Sequence, residues 1–385
     1  RKRVLLVSSW TNSNNVLGYY LSVPTGLYRI QNWLRDKHDV DVLDPNIEDP
    51  IALMDREGKY DYVGFSPTKD NLHNDIAMMR YARKRYPRAT IMVGGVEATF
   101  GYNRFLDNKL ADLVVIGEGE KVLERMLDGN PDPRARFSST ITRQYDPNTV
   151  LTSEELGKAT ELDFSTVPMK EYWGRNEDVA PDLDSRNTVN LYITNFCPQG
   201  CKFCSTTQFV REGAGPGVTM VPPQHLLKII HKVKEQIPET RTIYFHDDNA
   251  LHHKGLTLEW TKQIAKDKLD VTFVATSRIN HFDEEVLDHL IPAGFRKVSV
   301  GVEAYTDSLL KTLRKAQRRK NIDNFMRWTK AVDLPVQLNL MLCTPESVVD
   351  DLVQTAEFAL RVMEDNKLNT VTAEPHIKAY SGSWY

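Results

Sequence analysis

The stretch NFCPQGCKFCSTT, residues 195–207, holds Cys197, Cys201 and Cys204, three of the four cysteines in the 385-residue chain. Thiols gathered on one loop of a cysteine-poor chain, with Cys343 alone, argue for a bound metal and against a disulfide framework. The spacing C-x3-C-x2-C lets three thiolates hold three irons of a [4Fe–4S] cluster and leaves the fourth iron open. A zinc site is the alternative. It normally wants four ligands in paired knuckles, and here Cys343 is distant and His246 or His252 would have to be recruited.

The sequence around this loop sets the fold class. TVNLYIT (188–194) directly precedes the cysteines, and TIYFHD, VTFVAT, KVSVGVE, PVQLNLML and TVTAEPHI follow as further strands with helices between them. The clearest helix is HLLKIIHKVKEQI, with Leu226, Ile229, Ile230, Val233 and Ile237 at helical spacing. Six β/α units predict a partial (β/α)6 barrel over residues 188–385, whose chemistry sits at the C-terminal strand ends. The cysteine loop falls on that edge.

Residues 1–125 alternate in the same way. RVLLVSS (3–9), DVDVLD (39–44), YDYVGFS (60–66), ATIMVGG (89–95) and ADLVVIGEGE (111–120) read as strands, and Leu27, Ile30, Trp33 and Leu34 share one helical face. This predicts an α/β, Rossmann-like domain with a parallel sheet, and Gly64, Gly94, Gly95, Gly117 and Gly119 are expected at the strand ends where ligands bind. Residues 126–187 are polar and rich in Pro, Asn and Asp, which predicts a linker carrying at most a short hairpin.

Composition agrees with a globular protein: 41% hydrophobic, 26% charged, formal charge -3. That balance offers no electrostatic footprint for nucleic acid. No apolar run approaches the roughly 20 residues of a membrane span. The start, RKRVLLVSSW, is too quickly polar for a signal peptide, and a cytoplasmic location is expected from the unpaired thiols. Arg1 is not an initiator methionine, so at least one residue is expected to precede it. The basic run RKAQRRK (314–320) reads as the exposed face of one helix. Cys343 reads as a small buried residue, His73 as a surface residue, and His252 and His253 as solvated loop residues or barrel-mouth residues.

With Phe203 before the last cysteine and a strand before the loop, the motif resembles that of the radical S-adenosylmethionine (SAM) superfamily. The resemblance implies that SAM chelates the open iron and is cleaved to a 5′-deoxyadenosyl radical by an electron from the cluster. It further implies SAM contacts at Phe203, at Asp247 and Asp248 after the second strand, at Ser277 and Arg278 after the third, and at Glu303 in VSVGVEAYTDSLL, where Ala304 replaces the usual Ser. A capped turn with Asn249 and a plain surface arginine are the competing readings of the acidic pair and of Arg278. LMLCTPES resembles the family's fifth-strand segment.

IMVGGVEATF…ADLVVIGEGE resembles the cobalamin-binding domain that precedes the barrel in one branch of the superfamily. There, Ser66, Thr68, Gly94, Gly95, Val96, Glu97, Gly117, Glu118 and Gly119 are expected to surround cobalamin, the glycines letting backbone amides approach a bulky phosphate-bearing tail. A domain that merely supports the barrel is the competing reading. The Asp-x-His-x-x-Gly motif that supplies an axial histidine in many cobalamin proteins is absent, and SWTNSNNVLGYYLSVPTG (9–26) stands in its place. Bound cobalamin is therefore expected without an imidazole beneath cobalt.

Together the resemblances imply a cobalamin-dependent radical SAM methyltransferase acting on an unactivated carbon of a small molecule or polypeptide. Its cofactors would be a [4Fe–4S] cluster, SAM and cobalamin, its electron donor a flavodoxin or ferredoxin. A radical SAM enzyme with a vestigial first domain and a zinc-stabilised binding module are the rivals. A tRNA methylthiotransferase would carry further cluster cysteines, and residues 1–196 contain none. Relatives often continue past the sixth strand, so a further C-terminal piece is expected.

Overall fold

Val4, Leu5, Leu6 and Val7 are all buried, and their alternation divides them between two cores. Leu5 and Val7 join Val63, Phe65, Ile91 and Val114 on one face of a sheet, while Val4 and Leu6 join Met92, Leu113 and Val115 on the other. A strand buried on both faces has to be a continuous apolar run, as the sequence shows here. The computed structural model describes residues 1–11, 21–49, 58–130, 132, 134–137, 150–176, 187–206, 218–374 and 379–385.

The chain divides into two units, the first built on Arg1–Arg186 and the second on Asn187–Thr207 and Met220–Tyr385. In the first, the strands are β1 (Arg3–Ser8), β2 (Asp39–Leu43), β3 (Tyr62–Ser66), β4 (Thr90–Val93), β5 (Leu113–Val115) and β6 (Ala135–Arg136). Their order is β2-β1-β3-β4-β5-β6, parallel except for the antiparallel edge pair β5–β6. Gly64 lies inside β3 and not at its end: a Cβ there would come within 2.9 Å of Met92 Cε and 3.0 Å of Leu6 Cδ2, so this glycine serves packing.

The segment expected as a linker carries two described α-helices, Ser153–Thr160 and Met169–Asn176. Thr152 and Glu155 form a capping box that starts the first of them, a signal present in the sequence as T-x-x-E. The segment is tied to the first unit: Tyr172 Oη donates to Asp44 Oδ2 at 2.5 Å, and Asn32 Nδ2 donates to the carbonyls of Lys158 and Ala159. Polar composition reflects helix caps and ties here, not an open linker. Residues 138–149 and 177–186 of this segment lie outside the described residues.

The second unit contains β7 (Thr188–Leu191), β8 (Thr242–Phe245), β9 (Thr272–Ser277), β10 (Phe295–Glu303), β11 (Val336–Met341) and β12 (Thr370–Glu374). All pair in parallel and in chain order, which makes an open six-stranded β/α barrel segment. Phe245, Phe273 and Phe295 on successive strands stack with centroids 5.8 and 5.5 Å apart, and Trp260 from helix Lys254–Asp267 closes on Phe245 at 5.3 Å. Helix Pro223–Gln236 buries Leu226, Ile229, Ile230 and Val233 as its spacing predicts. No helix among the described residues is long and apolar enough to cross a membrane.

Candidate radical SAM and cobalamin sites

The cysteine loop leaves the end of β7 and is fixed by a carboxylate from the next strand. Asp247, just past β8 and 3% exposed, accepts from the amides of Ile193 (2.9 Å) and Thr194 (2.6 Å) and from Thr194 Oγ1 (2.8 Å). Burial, its largest influence, pushes its carboxyl up to about 7. Asp247 thus staples the start of the loop, taking donors from Ile193 and Thr194. Further along, the amide of Lys202 donates to the Leu313 carbonyl and Lys202 Nζ pairs with Glu346 Oε1 at 2.8 Å, joining the loop to the segment after β11.

Cys197 and Cys201 are buried and Cys204 is half-buried. Burial pushes the Cys197 thiol up to about 11 and raises that of Cys204. Free, these two are poor nucleophiles, and a metal that holds them as thiolates reverses that preference. Among the described residues no three His, Cys, Asp or Glu side chains converge as ligands of a single ion do. A cluster does not ask for that convergence, since each thiolate takes its own iron. The donor set, three thiols on one short loop, fits a cluster with one open iron. Cys343 is exposed, which corrects the expected burial: it follows β11 and lies past the packed strand.

The remaining strand ends divide sharply. Ser277 is 2% exposed and committed to its neighbours: its Oγ donates to Asn249 Oδ1 at 2.8 Å and accepts from the Leu251 amide. Asp248 accepts from Thr206 Oγ1 at 3.0 Å; its surface is open, yet the surrounding protein raises its carboxyl. Arg278 is buried, and its guanidinium donates to Cys201 Sγ at 3.3 Å and to the Lys315 carbonyl. One guanidinium nitrogen thus meets the cysteine loop and another the Lys315 carbonyl.

Glu303 ends β10 at φ +67, a conformation rare for residues with side chains, and pairs with Lys315 Nζ at 2.8 Å. Lys315 Nζ also lies 5.7 Å from the centre of the Phe203 ring. The run 314–320 is thus not the exposed face of a helix. Arg314 and Ala316 take left-handed backbone, Lys315 and Gln317 are buried, and the helix begins only at Arg319. Lys315 is the site residue that pattern reading missed, and Gly301 was its signal: a Cβ there would lie 2.5 Å from Glu303 Oε1 and 2.7 Å from Lys315 Nζ.

In the first unit, Ser66, Gly94–Gly95 and Gly117 lie at the ends of three adjacent strands. Gly95 opens helix Gly95–Asp107 at φ +85, and Gly117 stands at φ +79. Thr99 joins them, its Oγ1 donating to the Gly95 carbonyl (2.8 Å) and accepting from the Gly117 amide (3.0 Å). A Cβ on Gly95 would come 3.1 Å from Ser66 Oγ, so this bare position leaves a cradle that a side chain would fill, whereas Gly119 packs on Ile30, whose Cδ1 would stand 3.0 Å from a Cβ there. Val96 is exposed beside the cradle. Thr68 is tied through its amide to Asp75 Oδ2 and through Oγ1 to Ser9.

Two of the residues expected at cobalamin have buried side chains with partners inside the protein. Glu97 is buried against Arg104 at 2.8 Å. Glu118 is buried, accepts from the Leu151 amide, and has its carboxyl pushed up to about 7 by burial and then by Glu120. Of residues 9–26, which stand in place of the axial-histidine motif, 12–20 lie outside the described residues.

Residues 191–359 match the family model described as the radical SAM superfamily, and residues 18–127 match the B12 binding domain. The chain belongs to the radical SAM superfamily, in its cobalamin-binding branch. An uncharacterized methyltransferase of Pyrococcus horikoshii is 23% identical over 88% of this radical SAM chain and 73% of its own length. A bacteriochlorophyllide d C-8(2)-methyltransferase of Chlorobaculum tepidum is 21% identical over 84% of the chain and 67% of its own. Among solved structures, the radical SAM methyltransferase TsrM of Kitasatospora setae, with cobalamin and a [4Fe–4S] cluster bound, superposes with a TM-score of 0.78 at 15% identity. That likeness covers the whole of this chain and 76% of that one.

Proposed function

We propose that this protein is a cobalamin-dependent radical SAM methyltransferase that places a methyl group on an unactivated carbon of a small molecule or polypeptide. The observation that carries the reading is the joining of two features in one chain. A three-cysteine loop stands at the C-terminal end of the first barrel strand, and a glycine-lined cradle stands at the strand ends of a B12 binding domain. The rival without cobalamin leaves that second match unused.

When bound, SAM at the cluster supplies a 5′-deoxyadenosyl radical and cobalamin supplies the methyl group. The chain's own part is placement. Cys197, Cys201 and Cys204 hold three irons, with Asp247 and Lys202 fixing their loop. Phe203, Lys315 and Glu303 form the charged and aromatic wall beside the loop: the Lys315 ammonium suits a carboxylate and Glu303 suits hydroxyl donors, the two ends of a SAM molecule. Asp248, open at its surface, suits an ammonium. Ser66, Gly94, Gly95, Gly117 and Gly119 offer backbone approach to the cobalamin tail.

Reduction requires a one-electron donor, and a flavodoxin or ferredoxin in a reducing cytoplasm fits a site of unpaired thiols. Anaerobic reconstitution tests the reading. It is expected to give about four irons per chain, lost on Cys197→Ala, Cys201→Ala or Cys204→Ala and kept on Cys343→Ala. An intact protein that takes up zinc and no iron would overturn it.

A further inference from the structure

Arg278 is a cation in the protein interior, 5% exposed, that contacts no carboxylate among the described residues. Its polar partners among the described residues are Cys201 Sγ, at 3.3 Å from one guanidinium nitrogen, the carbonyl of Lys315, and Asn249 Oδ1, which accepts from the Arg278 amide at 3.2 Å. The placement is built. Asn249 is fully buried, and its Oδ1 takes the Ser277 hydroxyl together with the Arg278 amide, while its Nδ2 meets His281 Nε2 at 3.1 Å. This network fixes the backbone from which the guanidinium reaches the cysteine loop.

An interior charge with no counter-charge is costly, and proteins keep one only where a partner offsets it. Arg278 needs a negative group at Cys201. A neutral thiol does not supply one, whereas a thiolate on an iron cluster does.

We propose that Arg278 is a positioning residue acting through Cys201, which raises the reduction potential of the cluster by setting a fixed positive charge and a hydrogen-bond donor against one of its sulfurs. This rests on the function proposed above. The reduced cluster carries one more negative charge than the oxidised cluster, so a nearby cation favours the reduced form. Hydrogen bonds to sulfur and local net charge are the established levers on such potentials. The electron comes from the external reductant, and no bond to Arg278 forms or breaks.

The test is a mediated redox titration of the reconstituted protein in the absence of SAM, followed by the electron paramagnetic resonance signal of the reduced cluster. Dithionite serves as reductant. Arg278→Met is expected to hold iron like the wild type but to show at least a tenfold lower ratio of reduced to oxidised cluster at a fixed potential. That corresponds to a fall of about 59 mV for one electron. Arg278→Lys, which keeps charge but not the fork, is expected to fall less. If Arg278→Met does not retain iron, Arg278→Lys and Arg278→Gln decide, with Gln expected lower than Lys and both below the wild type.

Midpoints equal to or above that of the wild type overturn the proposal. If SAM affinity also drops tenfold or more, Arg278 is instead a clamp for the SAM carboxylate. A wild-type protein that takes up no iron would refute the proposed function itself, a failure visible before any Arg278 variant is titrated.

Discussion

Lys315 Nζ lies 2.8 Å from Glu303 Oε1, with the two side chains 6% and 10% exposed, against a glycine that leaves them room. Removing one member strands the other. Lys315→Met or Glu303→Gln is expected to cost about 3–5 kcal/mol as the uncompensated charge of a buried pair. The double variant is expected to cost less than the sum of the singles. Gly301→Ala is expected to destabilise as well, since both charged atoms stand within 2.7 Å of the new Cβ. Urea midpoints at constant m check all of these. A Gly301→Ala midpoint equal to the wild type would show that the pair moves freely.

Asp247 makes a pH prediction whose sign follows from its environment. Its folded carboxyl is raised to about 7, chiefly by burial and with a contribution from Asp248, against an ordinary value of about 4. The native state thus keeps a proton that the unfolded chain gives up. The stability tied to this group is full below about pH 4 and is lost as pH rises to about 7. Asp247→Asn cannot titrate, so its stability relative to the wild type should improve over that window and level off above it. Urea denaturation across pH 4–8 measures the difference, and a gap independent of pH would mean that Asp247 stays ionised. Asp247→Ala should cost about 1–3 kcal/mol for each stranded donor at Ile193 and Thr194.

The two neighbouring glycines of the first unit separate stability from ligand binding. Gly95 has φ +85, so Gly95→Val should be destabilising in its own right. Gly94 is extended, and its Cβ would meet only Val115 at 3.7 Å, so Gly94→Val should fold normally. If the cradle receives the cobalamin tail, Gly94→Val should weaken cobalamin binding at least tenfold while iron content stays at the wild-type level. Normal cobalamin affinity in a folded Gly94→Val protein would move the tail elsewhere.

The strands of both sheets and the position of the cysteine loop were legible in the sequence, because buried parallel strands must be apolar runs and their ends must turn. What was not legible is where each polar side chain at those ends is spent. Asp247, Ser277 and Arg278 stand where a ligand contact is expected by position, and each also bonds within the protein, to Ile193, Asn249 and Cys201. Lys315 was hidden for a different reason: a basic run looks solvated unless the left-handed turns at Arg314 and Ala316 are known. The helices of 153–176 were hidden by their polar composition, although the capping box at Thr152 and Glu155 was in plain view.

Under the proposed function SAM is used twice, as the radical source at the cluster and as the donor that reloads cobalamin with methyl, and its two products report both uses. The reconstituted, cobalamin-loaded protein, reduced and given SAM, should form 5′-deoxyadenosine, the mark of radical cleavage, and S-adenosylhomocysteine, the mark of methyl transfer to cobalamin. Mass spectrometry of one reaction quantifies the two together. The account predicts both products from the wild type, and no 5′-deoxyadenosine from Cys204→Ala. 5′-Deoxyadenosine without any cobalamin-dependent S-adenosylhomocysteine, or neither product from a protein that holds its full iron, would contradict it.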